Sequence, residues 1–126
     1  MKTVEIGKLG EDIAVKFLKN NRYKIVDRNV HMSHNEIDII VKNKDHIVFV
    51  EVKTRSTDEN MELYFGSPAS AVDHRKQKRT VDAARAYLIS SKYGKLQPRF
   101  DVIEVFLHKD THKLININHI ENAFGA

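Results

Sequence analysis

The sequence predicts an α/β domain, and three stretches carry that prediction. Apolar residues recur at helical spacing through Ile6, Leu9, Ile13 and Phe17, and again through Val81, Ala84 and Leu88. Between these helices, Asn35 to Arg55 reads as two strands rich in β-branched residues, joined by a polar turn.

In chain order, the first helix runs from about Ile6 to Asn20, its apolar stripe widened by Gly10, Ala14 and Leu18. Lys8, Asp12, Lys16 and Lys19 fall on the opposite face. Glu11 does not join them: at 100° per residue it sits at the edge of the apolar arc, among Gly7, Ala14, Val15 and Leu18. A carboxylate there either looks into a site or keeps its head in solvent at the boundary. Asn20-Asn21 ends the helix, and Tyr23 to Val30 reads as the first strand. In the link that follows, His31 and His34 have zinc-like spacing. They lack a third well-spaced ligand and read as solvated loop residues.

The central pair comes next: Glu36 to Val41 and His46 to Lys53, with Asn43-Lys44-Asp45 of turn composition between them. Glu51 and Lys53 share a face with Ile47 and Phe49, while Val48, Val50 and Val52 point the other way. Apolar residues on both faces imply a strand covered on both sides, where a carboxylate costs desolvation unless something pairs with it. A two-residue loop would pair Asp38 with Phe49, and a four-residue loop would set it opposite Glu51. Either puts both carboxylates on one face, and a three-residue loop would separate them. Two carboxylates that close must bind a proton or share a cation. Oxygen ligands suit Mg²⁺ or Mn²⁺. Such an ion can activate water and polarise a phosphoryl oxygen, with Lys53 orienting the water or stabilising charge. The plainer alternative is a structural ion pair at a strand end.

Thr54 to Ser67 is long, polar and aperiodic, and it leaves from the Glu51/Lys53 end as a lid or substrate-contacting loop would. The second helix spans about Ser70 to Ser90, with Gln77 continuing its buried stripe one turn early. It carries the densest basic run, His74, Arg75, Lys76, Lys78 and Arg79. That run is either a solvated face or a phosphate-contacting ridge. Arg99 to Leu107 and Lys113 to Ile117 read as further strands around a turn from His108 to His112. The tail, Ile120 to Ala126, reads as a short helical turn.

The 126 residues suit one domain, residues 1–126, with a real core. No apolar run approaches the ~20 residues of a membrane span, and MKTVEIGKLG lacks a signal peptide's core. The absence of cysteine excludes disulfide and thiolate chemistry and fits a cytoplasmic location. A net charge of +4 with a pI near 9.3 suggests an anionic partner.

Gly7-x-x-Gly10-Glu11, Arg28-Asn29, Glu36-Ile37-Asp38, Phe49 to Arg55, Phe65-Gly66, Lys76-Gln77 and Arg99-Phe100-Asp101-Val102 together resemble the YraN-like family of small uncharacterised bacterial proteins. The order helix, three strands, helix, strand resembles the restriction endonuclease-like PD-(D/E)XK nuclease superfamily, and within it the chain is similar to archaeal Holliday junction resolvases. The resemblance implies a mixed central sheet flanked by helices. It further implies that Asp38, Glu51 and the Val52 carbonyl hold Mg²⁺ or Mn²⁺. Lys53 would stand by the attacking water, Glu11 would complete the acidic cluster through a water or second ion, and Gln77 would brace the site. Two positions depart from the pattern: Ile37 replaces the motif's proline, and Asn35 replaces the glycine usual before Glu-Ile-Asp. Asn tolerates a left-handed backbone.

The resulting expectation is a metal-dependent endonuclease acting on nucleic acid, DNA in the first place, branched DNA included, with Arg55, Arg75, Lys76, Lys78 and Arg79 as contacts. A homodimer is left open, and no membrane partner is expected. The alternatives are a noncatalytic nucleic-acid-binding or partner-binding module that keeps the fold, and an adaptor whose basic helix meets an acidic partner.

Overall fold

A computed structural model describes residues 1–32, 34–60 and 73–125. Its elements are α1 (Thr3–Asn20), β1 (Lys24–Met32), β2 (Asn35–Lys42), β3 (His46–Thr57), α2 (His74–Ile89), β4 (Gln97–His108) and β5 (Leu114–Phe124). The strands form one five-stranded sheet in the order β1-β2-β3-β4-β5. All neighbours are antiparallel except β3 and β4, which are parallel, so the sheet is mixed. A parallel pair needs a crossover, and α2 lies in the segment that supplies it.

Each sheet face is covered by one helix. Ala14 and Leu18 of α1 pack on Ile39, Val41, Val48, Val50, Ile103, Val105 and Leu107. On the other face, Val81, Ala83 and Ala84 of α2 pack on Ile37, Ile40, Ile47, Phe49 and Phe100. The double-sided apolar pattern of the central strands thus produces a three-layer arrangement. Among the described residues no helix is long and apolar enough to cross a membrane.

Gly10 is buried where α1 meets β3. A Cβ there would overlap the Thr54 hydroxyl and lie 2.9 Å from Thr54 Cβ. Gly10→Ala is therefore expected to destabilise the protein by roughly 1–3 kcal/mol, the usual cost of overpacking. Helix propensity alone predicts a small gain, so thermal melts separate the two.

The structure corrects three boundaries. β3 continues past Lys53 to Thr57, because Thr54 to Thr57 find partners from Val105 to His108 on the parallel neighbour. This takes the first four residues from the expected loop; residues 61–67, and 70–72 of the expected second helix, lie outside the described residues. The tail is not a helical turn: Ile120 to Phe124 belong to β5. Asn122 at φ 52° donates its N–H to Asp101, and the Phe124 ring stacks on Phe100 at 5.2 Å. Lastly, the left-handed residue before Glu36 is His34 (φ 65°), and Asn35 is the first residue of β2.

Candidate active site

β2 and β3 pair in the register expected of a four-residue loop, Lys42 opposite Ile47, although β3 already begins at His46. Asn43 and His46 close the turn through an N–H to carbonyl bond of 3.0 Å, and the Asn43 side chain accepts from the N–H groups of Asp45 and His46. The pairing runs Lys42–Ile47, Val41–Val48, Ile40–Phe49 and Ile39–Val50, so the next step sets Asp38 opposite Glu51. There the backbone ladder stops. Asp38 Oδ2 instead accepts from the Val52 N–H at 2.8 Å, its side chain replacing the missing strand contact.

Both helices reach this end of the strand pair. Glu11 from α1, Asp38 from β2, Glu51, Val52 and Lys53 from β3, and Lys76 from α2 line one cleft of about 340 Å³. Glu51 is only 5% exposed, and Oε1 carries the two ammonium groups nearest it: Lys76 Nζ at 2.6 Å and Lys53 Nζ at 3.3 Å. Burial, then the charge of Glu51, pushes Asp38 up to about 7, against the pull of the Val52 N–H and Lys76. Burial also raises Glu11; Arg28 offsets part of this, while Glu36, Asp12 and Glu51 add to it. Burial alone would lower Lys76, but its bond to Glu51 leaves it raised. Among the described residues the cleft thus sets three carboxylates, Glu11, Asp38 and Glu51, against the ammonium groups of Lys53 and Lys76.

A carboxyl with a raised folded-state pKa costs stability as pH rises from its unfolded value through its folded one. Asp38→Asn keeps an oxygen acceptor for Val52 and removes that cost. In chelator, the variant is expected to melt higher than wild type at pH 8, with the difference vanishing near pH 4. A lower melting point at pH 8 would show that Asp38 is stabilising in its ionised form.

Lys76 reaches the acidic pair through Glu51. The buried face of α2 comprises Thr80, Val81, Ala83 and Ala84, which is wide enough for residues 76 and 77 to flank it. Lys76 falls on the Glu51 side; Gln77 lines a separate cleft with His74, Lys78, Val81, Asp82, Arg85 and Gly125. Arg55 stands 3.6 Å from the fully buried Glu104, one of the charged groups the sequence did not single out. Arg75, Lys78 and Arg79 are exposed on α2, and Arg79 lines a small cleft with His34, Asn35, Glu36 and Lys76. His31 and His34 are exposed. Among the described residues no group of three or more His, Asp or Glu side chains stands assembled to hold a metal ion. Mg²⁺ does not require one, since it is commonly held by one or two carboxylates with substrate phosphates completing the shell.

Sequence comparison relates this chain to known proteins. Residues 10–105 match the model of the uncharacterised protein family UPF0102. UPF0102 proteins similar to this chain include one from Caldanaerobacter subterraneus, 44% identical over 94% of this chain and 93% of its own. Another, from Alkaliphilus oremlandii, is 46% identical over 95% and 97%. One from Clostridioides difficile is 40% identical over 98% and 100%. A solved structure with some likeness is a repair endonuclease from Pyrococcus abyssi, at 22% identity and TM-score 0.37. That match covers 76% of this chain and 35% of the endonuclease.

Proposed function

This chain belongs to the uncharacterised protein family UPF0102, and we propose that it is a metal-dependent nuclease that hydrolyses phosphodiester bonds, with DNA as the substrate. The observation that carries this reading is the opposed Asp38/Glu51 pair, placed where β2 and β3 part and lined by Glu11 and Lys53.

The donors fit a hard divalent cation. Burial raises Asp38, with Glu51 adding to the rise, so a positive charge between the two would relieve both. Asp38, Glu51 and the Val52 carbonyl would hold Mg²⁺ or Mn²⁺, strand geometry turning that carbonyl to the same side as its N–H. The ion would supply a polarised phosphoryl oxygen and a more acidic water. The chain's own groups do the rest. Lys53, held at 3.3 Å from Glu51, is placed to steady a water and to neutralise charge building on the phosphate. Glu11 closes the α1 side of the cleft and is placed to take a proton or bind an outer-shell water. Lys76 neutralises Glu51 and, when an ion is held, is free to turn to the substrate phosphate.

One observation favours a second reading. Two lysines already surround Glu51, as they would in a noncatalytic nucleic-acid-binding module that keeps the cleft as architecture. Nicking of labelled linear, flapped and four-way DNA, and of RNA, in Mn²⁺ or Mg²⁺ decides between them. Cleavage that chelator abolishes is the expected result. Binding of nucleic acid with no metal-dependent cleavage of any substrate would leave the second reading.

A further inference from the structure

Gly7 sits within α1, one turn before Glu11. Glycine inside a helix costs about 0.5–1 kcal/mol relative to alanine. At Gly10 the packing of Thr54 explains that cost. At Gly7 no described residue does: a Cβ there meets no atom of the described residues within 4 Å. The missing side chain has its consequence in the surface. Gly7 and Glu11 line both the Asp38/Glu51 cleft and a second one of about 460 Å³, completed by Val4, Lys8, Arg28 and Asn29. Gly7 is thus a low sill between the two.

The second cleft differs in charge from the first. Lys8 is exposed on its rim. Arg28 gives its Nη2 to Asp12 at 2.8 Å, and its side chain, 35% exposed, lines the cleft. Asn29, at φ 51° and with its amide nitrogen turned toward the acids, donates to Glu11 at 3.0 Å and Glu36 at 3.2 Å, fixing the Glu11 wall that separates the clefts.

We propose that the sill at Gly7 carries the backbone of a nucleic-acid strand, and that the second cleft takes a neighbouring phosphate of that strand on Arg28 and Lys8. The proposal rests on the nuclease reading of the first cleft, since it assumes a phosphodiester at Asp38/Glu51. It gives the strand a direction, running from the metal-binding pair across the second turn of α1 toward β1. It also explains why that turn holds a residue that weakens the helix.

The test is fluorescence anisotropy of a short labelled single-stranded DNA in chelator, over a salt series, with melts of each variant. Gly7→Gln and Gly7→Ala are expected to melt at or above wild type, because both favour the helix and have room. Gly7→Gln, whose side chain fills the sill, is expected to weaken binding by about tenfold or more. Lys8→Gln is expected to lower the log–log salt slope by about 0.7. Wild-type affinity in Gly7→Gln with an unchanged slope in Lys8→Gln overturns the second subsite alone. A wild type that binds no nucleic acid overturns both this subsite and the function proposed above.

Discussion

In a nicking assay with Mn²⁺, Glu51→Gln is expected to lose cleavage by at least roughly 100-fold while keeping most of its affinity for the substrate. The change alters little volume and removes one negative charge from beside the phosphate. Folding should survive it. Lys76 and Lys53 lose their nearest counter-ion, but Asp38 loses the charge that, after burial, does most to hold its proton on, and so ionises more readily in their company. Lys53→Ala is expected to abolish turnover as well, by a different route: metal affinity, read by titration of Mn²⁺ into the protein, should hold or rise because a nearby cation is gone.

An architectural cleft predicts another pattern. Removing one partner of a buried pair costs about 3–5 kcal/mol. Here the lysines are 24% and 44% exposed, so solvent screening discounts that figure. Both variants would then melt lower, with no metal-dependent activity to lose. Equal nicking by wild type, Glu51→Gln and Lys53→Ala would assign the activity to a contaminant and end the enzyme reading.

Much of this cleft was legible in the chain because strand periodicity is rigid. Once Asp38 and Glu51 lay on adjacent strands, only the parity of the register mattered, and the Lys42–Ile47 pairing, with four residues between, satisfies it. Glu11 was legible as a carboxylate separated from the other charges of its helix. The reach of Lys76 to Glu51 was not. Neighbouring residues on a helix differ by 100°, and the stripe through Val81, Ala84 and Leu88 omits Thr80 and Ala83, whose burial widens the packed face toward Lys76. The tail was illegible for a different reason. Nothing local makes Ile120 to Phe124 a strand; the bonds that hold it come from Asp101 and Phe100, about twenty residues earlier. A signal was present in Arg99-Phe100-Asp101, where opposite charges two apart must share one strand face, but what they bind is decided by tertiary structure.

That same cluster carries the largest effect expected on stability. Asp101 is fully buried and uses both oxygens: Arg99 Nε at 2.9 Å and the Asn122 N–H at 2.9 Å on one, Arg99 Nη2 and His119 Nε2 at 2.8 and 2.7 Å on the other. Arg99 also donates to the Tyr23 hydroxyl, and the His119 ring packs edge-on to Phe17 and Tyr23. One carboxylate therefore ties β5 to β4, and both to α1 and the start of β1. Asp101→Asn leaves a guanidinium that is only 12% exposed without its counter-charge, and is expected to cost about 3–5 kcal/mol. The pH dependence follows from the direction of the shift. Burial raises Asp101, but His119, Arg99 and the Asn122 N–H outweigh it and hold the carboxyl below its ordinary value. Its contribution is then complete above the unfolded value of about 3.9 and disappears as pH falls through the lower folded one. Urea melts of wild type and variant should differ at pH 7 and converge in acid below about pH 3.9. A gap that is absent at pH 7, or that persists below about pH 3, would show that Asp101 is not the ionised anchor of β5.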